Sequence, residues 1–146
     1  MYSKNRGETM SSLFTWDSKR YELKVTEMDN EHKKLIEIMN DLYDKNKKNA
    51  PKPDLLTSIN ELCDFVVLHF QHEETHLEKI RFPGLANHKG IHQRLLSQLR
   101  QHKADFESSE SNRINEKFFE FLSLWLAAHI QHIDMQYSPS RYGQSA

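Results

Sequence analysis

The histidines are the residues with the clearest capacity for chemistry. Nine occur in 146 residues, and five of them fall in one stretch, "HFQHEETHLEKIRFPGLANHKGIH", from His69 to His92. His69 and Glu73 are four residues apart, as are His88 and His92. On an α-helix that separation puts two side chains on one face, a turn apart, so each pair can reach a common point. Neutral imidazole is the commonest protein ligand for transition metals. A carboxylate such as Glu73 is costly to bury unless a cation neutralises it, and its two oxygens can bridge a pair of ions. A two-metal site is the chemistry these residues favour. One histidine on an apolar face is most often a satisfied core residue, so the argument rests on how many converge.

Convergence depends on the elements that carry them. Only four Gly and four Pro occur, mostly in short breaks between long segments of helical character, and strand signals are missing. After an N-terminal arm with Phe14, Trp16 and Tyr21, Thr26 is placed to cap a first long helix with the stripe His32, Leu35, Met39, Leu42. "KKNAPKP" ends it. A second helix starts near Pro53 or Asp54 and repeats Ile59, Leu62, Val66, His69, Glu73, His76, Ile80 until "RFPG" breaks the pattern. The third stripe reads Leu85, His88, His92, Leu95, Leu99, His102, Phe106, and the fourth, beyond "ESSESN", reads Ile114, Phe118, Phe121, Trp125, His129. Four helices with short links predict an all-α, antiparallel up-down-up-down four-helix bundle with an N-terminal arm. Each helix then carries a histidine on its core face, and bundle interiors are a recurrent place for metal sites. "HIQHID" adds His129 and Asp134, but five residues turn roughly 140° around a regular helix. A local π-type widening is the expected remedy, bringing Asp134 inward.

Composition narrows the setting. A formal net charge of -1 with 37% hydrophobic residues fits one globular domain and supplies no basic field for nucleic acid or an anionic membrane. The longest apolar runs, "FVVL" and "LWLAA", are far short of a bilayer span, and "MYSKNRGETMSS" lacks the apolar segment of a secretory signal. A cytoplasmic protein without membrane insertion is expected. Cys63 is the single cysteine and is read as a buried structural thiol.

Taken together, "MDNEH" ending at His32, "HFQHE" from His69 to Glu73, "HKGIH" from His88 to His92 and "HIQHID" from His129 to Asp134 resemble the hemerythrins, in particular their single-domain bacterial members (bacteriohemerythrins). The resemblance runs from about Trp16 to Tyr137 and joins seven positions. It departs from the family pattern at Lys24, where a small residue is expected. It implies a domain over 16–137, with 1–15 as a flexible N-terminal extension and 138–146 as a C-terminal tail. It also implies reversible dioxygen binding, for carriage, storage or delivery, at a non-haem centre of two iron ions (Fe2+/Fe3+) with a bridging oxo or hydroxo group. His88, His92 and His129 would hold one iron, His32 and His69 the other, with an open position; Glu73 and Asp134 would bridge them. By the same resemblance, Leu35, Phe70, Trp125, Leu126 and Ile130 would wall a dry oxygen pocket. Carriage rather than enzymatic turnover is what this implies.

Three other readings use the same residues. "EETH" makes Glu73 and His76 a Glu-x-x-His pair, the repeated element of ferritin-like di-iron oxidases, but Asp29 with His32 is the nearest second candidate and further bridging glutamates are missing. His76 as a group behind the ligands or an occasional alternative ligand is compatible with either reading. An oxygen or redox sensor coupled to an unknown signalling or oxygen-consuming partner is the other alternative, as is peroxidase activity at the same site. His72 and His132 are expected at the surface, and His102, about three turns from His92, near the bundle end.

Overall fold

The computed structural model describes residues 13–139. The bulk of the expected N-terminal extension and C-terminal tail, residues 1–12 and 140–146, lies outside them. The described chain is helical: a single turn α1 (Ser18–Tyr21), then α2 (Thr26–Lys47), α3 (Lys52–Lys79), α4 (Leu85–Ser108) and α5 (Glu116–His132), followed by a 3-10 turn at Asp134–Tyr137. No strand occurs among the described residues.

Contacts at the two ends establish the antiparallel order. Asn46 near the end of α2 exchanges hydrogen bonds with the backbone of Ile114 just before α5. At the same end Lys52, opening α3, donates to the carbonyls of Ser109 and Ser111 beyond the end of α4. The opposite end collects the start of α2, the end of α3, the start of α4 and the end of α5, each with its histidine. Between the ends, Leu35, Met39 and Leu42 of α2 face Leu55, Ile59, Leu62 and Val66 of α3, Leu99 and Phe106 of α4, and Phe118, Leu122 and Trp125 of α5 in one continuous core. Burying each such side chain is worth roughly 1.5–3 kcal/mol. Tyr43 of α2 meets Phe119 of α5 edge-on at 5.0 Å. Cys63 is free and buried, and burial pushes its thiol pKa up.

Element boundaries follow local chemistry and shift some expectations. Val25, not Thr26, holds the N-cap position of α2, and Thr26 is its first helical residue. The helix has no side-chain cap; Asp29 in its first turns instead holds the loop that leads into it, accepting from the backbone N–H groups of Leu23 and Lys24 at 2.8 and 3.2 Å. Helix α3 begins at Lys52, slightly before Pro53, because proline in the first turn lacks only an N–H that would be unpaired there. Asn115 accepts from the Phe118 N–H at 3.0 Å and starts α5 at Glu116, so Ile114 is buried core outside the helix.

The N-terminal arm is pinned across the histidine end. Asn40 exchanges two hydrogen bonds with the backbone of Phe14, at 2.9 and 2.8 Å. Rings of Phe14 and Trp16 lie against Tyr21, and Ser138 donates to the Leu23 carbonyl at 2.7 Å. Phe14 and Ser138, allotted by the sequence to the extension and the tail, are both buried. Lys24 has φ 66°, in the left-handed region. A small residue suits that position because a side chain there is crowded by its own backbone. Among the described residues no helix is long and apolar enough to cross a membrane.

Candidate metal centre

Each long helix delivers its share at the same level of the bundle. His32 comes from the second turn of α2, His69 and Glu73 from consecutive turns of α3, His88 and His92 from consecutive turns of α4, and His129 from the last turn of α5. Asp134 arrives differently from expectation. No π-type widening occurs: the Ile133 N–H still bonds the His129 carbonyl at 2.9 Å, α5 ends at His132, and the chain tightens into the 3-10 turn that begins with Asp134. Ending the helix changes the angular step per residue, and this swings the carboxylate into the core. All seven side chains are buried, with Glu73 and Asp134 fully so.

The two carboxylates divide the imidazoles into two sets. Glu73 Oε1 lies 2.9 Å from Nε2 of both His88 and His92, and Asp134 Oδ1 lies 3.1 Å from His88 Nε2 and 2.9 Å from His129 Nε2. Their other oxygens face the remaining pair. Asp134 Oδ2 is 3.1 Å from His32 Nε2, and Glu73 Oε2 is 3.9 Å from Nε2 of both His32 and His69. Glu73 with His88, His92, His129 and Asp134, and Glu73 with His32 and His69, therefore form two groups able to hold an ion.

Hydrogen bonding alone does not satisfy this arrangement. Among the described residues, Nε2 of His32, His92 and His129 and both oxygens of Asp134 are buried without a hydrogen-bond partner despite these short separations. Each orphan of that kind costs about 1–3 kcal/mol. A cation placed among them would accept every lone pair. Cis donors about 2.1 Å from an octahedral ion are about 3.0 Å apart, which is the separation found along the His88, His92, His129 set. The residues fit metal ions.

Charge tells the same story. Burial and the Asp134 charge push the Glu73 pKa up, but the imidazoles of His88 and His92 and the charge of His69 outweigh them and hold it well below the usual carboxylate range. Burial likewise opposes ionisation of Asp134, yet His129, His32 and His88 keep it well below its ordinary value. Burial alone would lower the pKa of His88; Asp134 and Glu73 reverse that and push it up to about 10. The site is thus built around two negative charges that attract cationic partners.

These observations are matched by similarity. Residues 23–140 match the family model described as the hemerythrin HHE cation binding domain. The chain belongs to the hemerythrin family. It is 28% identical over 128 residues to the bacteriohemerythrin of Methylococcus capsulatus, covering 88% of this chain and 96% of that one. It is 31% identical over 129 residues to a hemerythrin-like protein of Naegleria gruberi, covering 88% and 94%. A crystal structure of wild-type hemerythrin superposes with a TM-score of 0.79 at 28% identity, covering 87% of this chain and 96% of the other.

Within this hemerythrin domain the expected pocket residues Leu35, Phe70, Trp125, Leu126 and Ile130 are all buried. The Phe70 ring stacks on His92 with centroids 3.7 Å apart and meets Trp125 edge-on at 6.1 Å. His76 stands apart from both ligand groups, half-buried, its ring edge-on to Tyr137 at 5.7 Å. His102 packs on Phe118 and Phe121, and His132 is exposed. Three residues escaped sequence reasoning. Tyr137 donates to Glu73 Oε2 at 2.6 Å, Glu31 lies 2.7 Å from His69 Nδ1 and 2.6 Å from His72 Nδ1, and Glu74 lies 2.8 Å from His92 Nδ1. No helical wheel marked them: Glu31 and Glu74 each adjoin a site residue in the chain but lie about 100° around the helix from it.

Proposed function

We propose that this hemerythrin-family protein binds dioxygen reversibly at a di-iron centre held by His32, His69, Glu73, His88, His92, His129 and Asp134. One observation carries the reading: Glu73 and Asp134 each turn one oxygen toward the His88, His92, His129 set and the other toward His32 and His69. A carboxylate so placed would bridge two ions. The first set then supplies three nitrogens and two oxygens, the second two nitrogens and two oxygens, leaving the second short of donors by one. A position open to a further ligand would then lie on the His32 and His69 side.

A pair of irons, when bound, supplies two adjacent one-electron donors for dioxygen. The chain's own part is to hold and shield. Five neutral donors against two carboxylates keep the centre poor in negative charge, which disfavours the high oxidation states of oxidative turnover. Leu35, Phe70, Trp125, Leu126 and Ile130 supply apolar side chains that exclude the water and acids by which the reduced state would be lost. Tyr137 holds one Glu73 oxygen by its hydroxyl. The ferritin-like alternative loses its second carboxylate, because Asp29 is occupied by the backbone of Leu23 and Lys24. Reduced, anaerobic, iron-loaded protein should develop a visible absorption band on admitting air and lose it when the gas is removed. Iron that oxidises once and does not return would favour a redox sensor or an oxidase.

A further inference from the structure

Two carboxylates outside the seven converging residues reach the centre from behind. His69 turns Nε2 inward while its Nδ1 lies 2.7 Å from Oε1 of Glu31, and His92 turns Nε2 inward while its Nδ1 lies 2.8 Å from Oε2 of Glu74. An ionised carboxylate only accepts, so in each pair Nδ1 carries the proton and Nε2 keeps its lone pair for the interior. The backing is selective. Among the described residues, Nδ1 of His32 and Nδ1 of His129 are buried with no hydrogen-bond partner. Each half of the centre thus holds one histidine backed by a carboxylate and at least one that is not.

Glu31 has a further attachment. Its second oxygen lies 2.6 Å from Nδ1 of His72, whose side chain is 44% exposed. One residue of α2 is therefore clamped between two histidines of α3, and its carboxylate cannot swing to water without breaking both contacts. Glu74 pairs with His92 alone among the described residues and is itself 26% exposed.

We propose that Glu31 and Glu74 are positioning residues of the centre, each fixing the tautomer and ring orientation of one ligand and lending it negative charge, with His72 holding Glu31 in place. This rests on the reading of the cluster as a two-ion centre. A carboxylate behind a ligating imidazole raises its basicity, and added negative charge favours the more oxidised metal ion. Because His69 lies on the side with the open position, Glu31 sets how readily that half of the centre gives up an electron.

Testing uses the full chain, with Glu31→Gln, Glu74→Gln and His72→Ala. Gln preserves shape and an acceptor while removing the charge. Each protein is loaded with Co2+, its affinities are read by chelator competition, and the exchangeable ring N–H protons are read by paramagnetic proton NMR in H2O against D2O. The reduction potential of the iron-loaded forms is measured in parallel. Wild type should bind two Co2+, and each Gln variant should weaken one of the two sites by about tenfold or more. Each should also shift one exchangeable N–H signal and raise the potential. His72→Ala should move the same signal as Glu31→Gln by less. Folded Gln variants with wild-type affinities, signals and potentials would overturn the inference alone. A wild type that fails to bind two Co2+ would overturn the two-ion reading and the inference with it.

Discussion

Glu73 and Asp134 each turn their two oxygens toward different imidazoles, and much of the proposed chemistry depends on that division. His69 is the sharpest test of the division, since it and His32 are the two nitrogen donors of their side among the described residues. His69→Ala should reduce bound iron to about one per chain and abolish oxygen binding, with helicity retained by circular dichroism; full oxygen binding would remove His69 from the site. Protonation offers a second test. With its pKa pushed up to about 10 by Asp134 and Glu73 against the effect of burial, His88 carries a proton at neutral pH when no metal competes. A ligand must offer its lone pair, so metal uptake releases that proton, and affinity rises as pH rises. Co2+ affinity should therefore increase by at least about tenfold per unit between about pH 6 and about pH 8; a flat profile would contradict the assignment. The ligand types and spacings were open to inspection in the sequence. The contacts of Glu31, Glu74 and Tyr137 were not, because each depends on a partner many residues distant or on the exact angle of a neighbouring helix.

Helix by helix, apolar and histidine stripes at three- and four-residue steps were enough to locate all four long elements, since the same face must supply both core and ligands. The ends were harder to read. Asp134 illustrates why: the hydrophobic period gives its angle on an ideal helix, but the chain leaves helical geometry at Ile133, and a small change of dihedral there decides which way the carboxylate points. Lys24 is a similar case, where a left-handed residue leaves no periodic trace. Lys24→Gly should relieve that conformation and raise stability by about 0.5–1 kcal/mol in denaturant melts; a loss of stability would show that the lysine side chain has a compensating role. Between the two ligands of α4, Gly90 has open space where a Cβ would sit, with nothing within 4 Å. Gly90→Ala should stabilise the helix by about 0.5–1 kcal/mol without changing metal content, and an altered metal content would mean that the turn carrying His88 and His92 needs glycine.

As a whole molecule, the bundle has two unlike ends. One is closed by Asn46, Lys52 and the cap of α5 around an apolar core; the other gathers buried polar groups that only a cation or protons can reconcile. The polar end is intrinsically costly, and metal should offset that cost. At a free concentration about a hundredfold above its dissociation constant, each bound ion adds about 2.7 kcal/mol. Chelation should lower the melting temperature by several degrees, read by calorimetry, and returning iron should restore it; an unchanged melt would mean that the fold does not depend on an ion at this end. The most direct test is anomalous diffraction at the iron edge from crystals of the iron-loaded protein. Two peaks are predicted, one among His88, His92 and His129 and one beside His32 and His69, with Glu73 and Asp134 between them. A single peak, or a peak ligated by His76, would contradict the two-ion centre.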